Sequence, residues 1–309
     1  MILNFNNEID KKLSEKFSEQ TIQNIKFGTL EYLGINITSA SENDFNFKLY
    51  YDIEYSLSLY NKTKHLSIVN DLFKKKLVNS IEIVHDEKNQ KFSRFNLNLN
   101  CENTNDIKNL FKYLKSQISF FKKYQEEIQK LSQSEISNNE NKKYFLLFTL
   151  GFLQNENTTQ ILKCYWYCYN RQKRESYDDN YHLNFLQENS HENLNDIIEI
   201  SKKTLINCEA KLWVIGNDYT KEGSLNAKIY MDDALNLYGG LAKTFKNYDK
   251  LIEKIKIIET WHKIHPEFYC DGFAIGINSK NEITLNFYFK LKISKLKNII
   301  KRYTEKNIK

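Results

Sequence analysis

A three-residue signature occurs five times along this chain: a cationic or amide side chain, one apolar residue, and then Tyr or Asn. The copies are Lys48-Leu49-Tyr50, Arg94-Phe95-Asn96, Lys163-Cys164-Tyr165, Lys228-Ile229-Tyr230 and Asn286-Phe287-Tyr288. Lys and Arg bind oxyanions through charge-assisted hydrogen bonds, and the ring face of Tyr attracts cations. These residue types therefore fit chemistry in which an anion and a cation separate.

The flanking residues predict that each copy lies on a β-strand. Because side chains alternate between the two faces of a strand, the first and third residues of each copy share one face. Apolar residues continue the alternation on the other face, as in Phe47, Leu49 and Tyr51 around the first copy. The pattern predicts a sheet with an apolar outer face and an inner face of Lys, Arg and Tyr that lines a polar chamber.

Paired strands alternate with helices along the chain. Clusters of turn-forming residues separate the predicted strands of five hairpins, which are 30–38 with 45–57, 80–85 with 92–100, 144–153 with 160–169, 211–215 with 225–231, and 272–277 with 283–291. Helical periodicity predicts helices at about 8–27, 64–78, 104–133, 193–207, 233–263 and 292–308. Each unit is thus one antiparallel hairpin plus helical material.

The repeat of these units predicts the architecture. Successive signature copies lie 46 to 69 residues apart, a period typical of propellers, solenoids and closed barrels. The first strand of four of the five hairpins carries a glycine, namely Gly34, Gly151, Gly216 or Gly276. The second hairpin has Val84 at the corresponding position. A strand glycine indicates a bend or room for a ligand. We expect an α+β fold in one domain over 1–309, a closed ten-stranded antiparallel β-barrel surrounded by helices, with a lumen wider than that of an eight-stranded barrel.

Composition limits the partners. The 309 residues include 45 Lys and Arg against 39 Asp and Glu, a net charge of +6 that is too balanced to indicate nucleic acid by itself. Five cysteines without a CxxC pair indicate buried thiols in a reducing compartment. The N-terminus has acidic residues and no signal-peptide core, and no segment approaches the roughly 20 apolar residues of a membrane span. We expect a soluble cytoplasmic protein that binds neither membrane nor nucleic acid.

Five such units in register resemble a known family, the ABBA-type aromatic prenyltransferases with their PT barrel. This family includes soluble phenol and indole prenyltransferases, dimethylallyl-tryptophan synthases and cyanobactin peptide prenyltransferases. The resemblance covers about residues 30–291 and rests on the five signature copies. It implies a transferase that carries its helices outside the barrel and its substrates inside. The donor would be a prenyl diphosphate, such as dimethylallyl or geranyl diphosphate, and the acceptor an aromatic small molecule or an aromatic side chain of a peptide.

The resemblance also implies roles for the signature residues. The residues that would hold the allylic diphosphate are Lys48, Arg94, Lys163, Lys228 and the amide of Asn286. The residues that would shield the allyl cation are Tyr50, Tyr165, Tyr230 and Tyr288. Asn96 departs from the pattern, because it stands where a further Tyr would complete the aromatic shield.

The chemistry fits these residue types independently of the family. Ionisation of an allylic diphosphate leaves a pyrophosphate, which Lys and Arg bind, and a carbocation, which tyrosine rings attract and water would destroy. Helical terpenoid enzymes instead hold magnesium on DDxxD motifs, and the pairs Asp178-Asp179 and Asp232-Asp233 do not complete one. The sequence predicts ionisation without a required metal or other cofactor. Asp52, on the Lys48 face, leaves a magnesium-assisted variant open.

The acceptor must lose a proton as the new bond forms. A carboxylate on an early strand could accept this proton, or orient an indole N–H or a phenol O–H. Glu82 is the first candidate, because it lies 12 residues before Arg94 on the first strand of the second hairpin. Glu54, on the face of Lys48, is the second.

Other interpretations compete with an enzyme. A nucleic-acid-binding or peptide-binding module could use the same Lys, Arg and Tyr residues to follow phosphates and stack bases. Topology discriminates, because an open basic sheet favours such a module and a closed lumen favours an enzyme. A degenerate barrel that binds without turnover is a third reading. His262 and His265 could bind a metal, but a role at a helix end is favoured, and Cys164 and Cys168 are assigned to the core.

Overall fold

The computed structural model describes the chain from the first helix to the last strand with several gaps. The described residues are 7–17, 30–40, 45–51, 56, 67–86, 93–99, 104–132, 145–155, 158–168, 183–184, 186–188, 195–278 and 280–291. Among them no helix is both long and apolar enough to cross a bilayer.

Ten antiparallel strands form one closed barrel. They are β1 (Leu30–Thr38), β2 (Asn46–Tyr51), β3 (Val78–Asp86), β4 (Ser93–Leu99), β5 (Phe145–Asn155), β6 (Thr158–Cys168), β7 (Lys211–Tyr219), β8 (Ser224–Asp232), β9 (Phe268–Ile277) and β10 (Ile283–Leu291). Each strand pairs with its neighbours in the chain, and β10 pairs with β1 to close the barrel. The structure confirms the predicted fold class and all five hairpins.

The first strands of the fourth and fifth hairpins are longer than the sequence predicts, and each added segment contains an aspartate near the candidate site. β7 continues to Tyr219 and β9 begins at Phe268, whereas the sequence predicts that the former ends at residue 215 and the latter begins at residue 272. The segment after residue 215 is rich in turn formers, and strand pairing with β6 and β8 overrides that local preference. The extensions bring Asp218 and Asp271 into the barrel wall.

Helices cover the apolar outer face of the barrel. In the described part of the chain they are α1 (Glu8–Lys16), α2 (Ser67–Lys74), α3 (Thr104–Gln117), α4 (Phe121–Ser132), α5 (Asn195–Cys208), α6 (Leu237–Thr244) and α7 (Asp249–Ile264). The two long predicted helices are wrong in that each consists of two. A turn at residues 118–120 separates α3 from α4, and residues 245–248 separate α6 from α7. The predicted 18–27 and 292–308 segments lie outside the described residues.

The core lies between the barrel and its helices. Leu49, Phe95, Cys164, Ile229 and Phe287, the middle residues of the signature copies, all belong to it or pack against it. Cys168 is also fully buried there. The alternation of faces therefore holds around the barrel, and it confirms the core assignment of Cys164 and Cys168.

His265 ties two helices together at the C-terminal end of α7. Its Nε2 lies 2.8 Å from Asp10 Oδ2 in α1, and the indole N–H of Trp261 donates to the other Asp10 oxygen at 2.9 Å. His262 Nδ1 lies 2.9 Å from the hydroxyl of Tyr238. In the described residues no group of three His, Cys, Asp or Glu side chains could hold a metal ion. Both histidines thus have structural partners at a helix end.

The strand glycines leave room opposite the signature residues. Gly34, Gly151 and Gly216 are direct cross-strand partners of Lys48, Lys163 and Lys228. A Cβ at Gly151 would lie 3.0 Å from Lys163 Cβ, and one at Gly216 would lie 3.1 Å from the rings of Tyr165 and Tyr230. The glycines therefore admit the bulky lumen side chains of the adjacent strands.

Gly276→Ala is expected to destabilise the barrel by about 1–3 kcal/mol, because a forced contact in a packed wall shifts its neighbours. The added methyl would lie 2.7 Å from the carbonyl oxygen of Ala227 and 2.9 Å from Lys228 Cγ. Gly223→Ala is the matched control, since no atom lies within 4 Å of a Cβ there. Urea denaturation of both variants checks the prediction, and equal midpoints would contradict it.

Candidate active site

The residues of the candidate site fall into three sets that differ in chemistry. On β8, for example, Lys228 and Tyr230 face inward on either side of the core residue Ile229. We call Lys48, Arg94, Lys163 and Lys228 the cation level. Tyr50, Tyr165, Tyr230 and Tyr288 form the tyrosine level, one inward step further along their strands. Glu31 and Glu82, which line a cavity in the barrel, and Asp271, which accepts a hydrogen bond from the Tyr32 hydroxyl, form the acidic level.

The cation level brings four positive side chains into electrostatic contact. Burial lowers the pKa of Lys163 to about 8; Asp218 opposes this shift, whereas Arg94 and Lys48 add to it. Burial also holds the pKa of Lys228 well below its usual range, and the Lys48, Lys163 and Arg94 charges reinforce that effect. The structure thus gathers the four predicted cations in one place.

Asn286 lies beside this level, as the sequence predicted. Its Oδ1 is 3.4 Å from Lys228 Nζ and accepts a hydrogen bond from Asn36 Nδ2 at 2.9 Å. The side chain is buried, and its Nδ2 has no hydrogen-bond partner among the described residues. A buried N–H that lacks a partner is costly, so this group is suited to donate to an anion held by the neighbouring lysine.

Asp218 belongs to the candidate site, although the sequence pattern did not indicate it. It is the cross-strand partner of Lys163, and its carboxylate accepts a hydrogen bond from Lys163 Nζ. The alternation of strand faces could have indicated this residue, because Asp218 lies two residues after Gly216 and therefore shares its face of β7. The prediction of a turn at residues 217–223 concealed it. Asp52 and Glu54, the other predicted carboxylates, lie outside the described residues.

The tyrosine level is a continuous row of rings. Ring centroids are 6.0 Å apart for Tyr165 and Tyr230, 5.8 Å for Tyr230 and Tyr288, and 5.7 Å for Tyr288 and Tyr50. The Arg94 guanidinium lies 5.4 Å above the Tyr50 ring and links this row to the cation level. All four predicted tyrosines are therefore together, next to the cation level.

Glu82 faces the lumen from β3. It is the cross-strand partner of Asn96, whose Nδ2 donates to Glu82 Oε2 at 2.6 Å. Burial, with a smaller contribution from the Glu31 carboxylate, raises the pKa of Glu82 to about 7, although the Asn96 hydrogen bond and the Arg94 and Lys290 charges oppose the shift. A carboxyl that titrates near neutral pH is suited to accept and release a proton. Asn96 takes the place of a ring in the aromatic row and positions this carboxyl instead.

A cavity of about 280 Å³ inside the barrel is lined by residues of all three sets. Its lining includes the row of four tyrosines with Glu82, Arg94 and Asn96, and also Glu31, Tyr32 and Trp213, which the sequence analysis did not identify. Glu31 and Tyr32 are adjacent, as are Trp213 and Val214, yet all four line the cavity. Pairing irregularities occur at both places, between residues 30 and 32 and between 212 and 214. Strict alternation cannot reveal inward residues where such irregularities interrupt it.

Solved structures of prenyltransferases share this fold. AnaPT from Neosartorya fischeri matches with a TM-score of 0.58 at 12% identity, over 85% of this chain and 78% of that chain. NotF prenyltransferase matches with a TM-score of 0.62 at 8% identity, over 85% and 80%. A 6-dimethylallyltryptophan synthase from Micromonospora olivasterospora, solved with DMASPP and Trp, matches with a TM-score of 0.58 at 11% identity, over 85% and 82%.

Sequence comparison contributes no relative of this chain. No protein-family model matches the sequence, and no match to a curated protein was found. The evidence for the fold is thus the ten-stranded closed barrel, its covering helices and the extent of the structural matches. By these criteria the chain has the ABBA fold, the PT barrel of the aromatic prenyltransferases.

Proposed function

We propose that this protein is a prenyltransferase, which moves an allylic prenyl group from a prenyl diphosphate to an aromatic acceptor. The observation that carries the proposal is the adjacency of the cation and tyrosine levels inside one closed barrel. The first level suits a diphosphate and the second suits an allyl cation. Structures with this fold include NotF in complex with brevianamide F and DMSPP, and a synthase in complex with DMASPP and Trp.

In the proposed reaction, the bond between the allylic carbon and the diphosphate oxygen breaks, and its electron pair leaves with the diphosphate. Lys48, Arg94, Lys163 and Lys228 with Asn286 stabilise the departing anion. The tyrosine level surrounds the allyl cation and keeps water away from it. The acceptor ring then bonds to the cation and loses a proton, which the Glu82 carboxylate accepts.

We propose further that ionisation requires no metal ion. Four cationic side chains at one level supply positive charge that a magnesium ion would otherwise provide. Asp218, the carboxylate described at this level, is already hydrogen-bonded to Lys163. A magnesium-assisted variant would depend on Asp52, which lies outside the described residues. Activity that persists in EDTA supports the metal-free form, and activity restored only by magnesium contradicts it.

The volume of the cavity limits the size of the prenyl group and of the acceptor that it can hold. Ligand pockets commonly enclose about 300–1,000 Å³, and this cavity of about 280 Å³ lies just below that range. We therefore propose dimethylallyl diphosphate as the preferred donor, with geranyl diphosphate second. The acceptor is a compact aromatic molecule or one aromatic side chain of a peptide.

Mass spectrometry tests the proposed function. Dimethylallyl, geranyl and farnesyl diphosphates are each incubated with the protein and with tryptophan, tyrosine, simple phenols and short peptides. The expected product is an acceptor heavier by one prenyl unit, together with released pyrophosphate. Tight donor binding without any product would instead favour the barrel that binds without turnover. An open basic sheet, which the rival nucleic-acid or peptide module requires, is inconsistent with the closed barrel.

Donor binding is expected to take up protons at pH 8. Because the pKa of Lys163 is lowered to about 8 and that of Lys228 lies well below its usual range, part of this level is neutral there. A bound diphosphate raises both pKa values, so protons bind with it. Calorimetric titration with dimethylallyl thiolodiphosphate, in two buffers of different ionisation enthalpy, measures this uptake. A smaller uptake is expected at pH 6, and identical heats in both buffers at pH 8 would contradict the prediction.

A further inference from the structure

Strand β10 presents a second polar side chain to the lumen beside Asn286. Thr284 and Asn286 alternate with the core residues Ile283, Leu285 and Phe287, so both point into the barrel. Both are buried, with 6% of Thr284 and 3% of Asn286 exposed. The Thr284 hydroxyl, like the Asn286 Nδ2, has no hydrogen-bond partner among the described residues. Since a buried polar group without a partner is costly, two such groups on one strand indicate a site for a ligand that accepts hydrogen bonds.

The Thr284 hydroxyl lies close to the stem of Lys228, a member of the cation level. Gly276 of β9 is the cross-strand partner of both residues, with Lys228 on one side and Thr284 on the other. A Cβ at Gly276 would lie 2.9 Å from Thr284 Oγ1 and 2.9 Å from Lys228 Cγ. The hydroxyl and the lysine stem therefore converge over the bare backbone of Gly276. This arrangement puts the hydroxyl beside a side chain that the proposed function assigns to the diphosphate.

The order of residues along β10 indicates which phosphate Thr284 would contact. Tyr288 belongs to the tyrosine level, Asn286 lies beside the cation level, and Thr284 is the next inward position on the side away from Tyr288. Successive inward positions on one strand are about 7 Å apart. A prenyl diphosphate whose carbons lie against the tyrosine row directs its first phosphate towards Asn286. Its terminal phosphate then lies nearest to Thr284.

We propose that Thr284 is a further donor-binding residue, which donates a hydrogen bond to the terminal phosphate and makes the site select a diphosphate over a monophosphate. The inference rests on the proposed function, since it concerns the donor of that reaction. The hydroxyl supplies selectivity that the lysines do not. A lysine ammonium is a point charge on a flexible stem and attracts any anion, whereas a hydroxyl held on a strand contacts only a phosphate that reaches it.

Calorimetry with two matched ligands tests this inference by binding alone. Dimethylallyl thiolodiphosphate and dimethylallyl monophosphate share the prenyl group and differ in the terminal phosphate. Thr284→Val removes the hydroxyl and keeps the branched side chain. It is expected to weaken binding of the thiolodiphosphate about tenfold or more, the scale of one hydrogen bond to a charged group. Binding of the monophosphate should change less than about twofold, because that ligand ends before it reaches Thr284.

Three further variants separate the hydroxyl from other effects of the substitution. Thr284→Ser keeps a hydroxyl and should retain most of the affinity for the thiolodiphosphate. Thr284→Ala repeats the loss of the hydroxyl with a smaller side chain, so the result does not depend on one variant. Thr260→Val, at an exposed position on α7, is the matched control and should bind both ligands as the wild type does.

The stability of the unliganded protein provides a readout that distinguishes binding from a role in the fold. Because the Thr284 hydroxyl has no partner among the described residues, Thr284→Val should resist urea at least as well as the wild type. A less stable Thr284→Val would contradict the inference, since the hydroxyl would then serve the fold.

The binding results decide the inference separately from the proposed function. Unchanged affinity for the thiolodiphosphate in the Val and Ala variants, an equal loss for both ligands, or an equal loss in Thr284→Ser would overturn it. Prenyl transfer by the wild type together with unchanged donor affinity in Thr284→Val would overturn the inference and leave the proposed function standing. Binding of the thiolodiphosphate that depends on Thr284, without any prenyl product, would instead remove the proposed function and leave the phosphate contact standing.

Discussion

Lys228→Ala is expected to lower the rate of donor ionisation about a hundredfold or more, because truncation of one partner of a buried charge pair costs about 2–5 kcal/mol. Lys228 lies within the electrostatic reach of Lys48, Lys163 and Arg94 and beside Asn286. Its loss removes one quarter of the cations that face the departing diphosphate. Pyrophosphate release from dimethylallyl diphosphate measures the effect directly. Lys256→Ala, at an exposed position on α7, is the control and should release pyrophosphate at the wild-type rate.

Lys163→Ala is expected to have an effect of similar size for two separable reasons. It removes a cation from the diphosphate, and it also leaves the Asp218 carboxylate without the hydrogen bond that Lys163 donates. A buried carboxylate left in that state repels an incoming anion. The double variant Lys163→Ala/Asp218→Asn should therefore recover part of the donor affinity. Wild-type affinity and rate in both single lysine variants would remove these residues from the site.

Glu82→Gln is expected to lower prenyl transfer about a hundredfold or more while leaving donor binding nearly intact, the usual scale for a positioned general base. The substitution keeps the shape of the side chain and an oxygen that can accept from Asn96, so the local packing should survive. Product formation and donor hydrolysis are measured in the same reactions. Loss of transfer with retained hydrolysis supports the role of Glu82.

The pH dependence of transfer provides a second readout for Glu82. Since the base must be ionised, and burial raises its pKa to about 7, the wild-type rate should rise as the pH increases through about 7. The same step should be missing in Glu82→Gln. Loss of both transfer and hydrolysis would indicate misfolding. Full activity would move the proton acceptor to Glu54 or remove the role altogether.

The sequence predicted the barrel because its signal repeats. Each unit carries a cation or amide, an apolar residue and a Tyr or Asn at alternating positions, and strand geometry converts that pattern into an inner and an outer face. Lys163, Tyr165, Lys228 and Tyr230 consequently lie in the lumen, as the alternation requires. The same alternation correctly predicted that Glu82 faces the lumen.

The alternation of strand faces, which repeats every two residues, could not reveal the remaining residues of the site. Asp218 and Asp271 lie in strand extensions that neighbouring strands stabilise against local turn preference. Glu31 and Trp213 enter the lumen at irregularities in strand pairing, which shift the faces by one residue. Periodicity likewise merged α3 with α4 and α6 with α7, because apolar spacing persists across the short turns between them. Tertiary pairing, and not local composition, decides these positions.

A crystal structure with dimethylallyl thiolodiphosphate would locate the donor in the barrel. Both phosphorus atoms are expected at the cation level, within hydrogen-bond reach of Lys163, Lys228 and Asn286. The prenyl carbons should lie against the rings of Tyr230 and Tyr288, with the allylic carbon directed toward the cavity that Glu82 lines. A diphosphate bound at the acidic level or on the outer surface of the barrel, or prenyl carbons directed away from the tyrosine row, would contradict the proposed donor site.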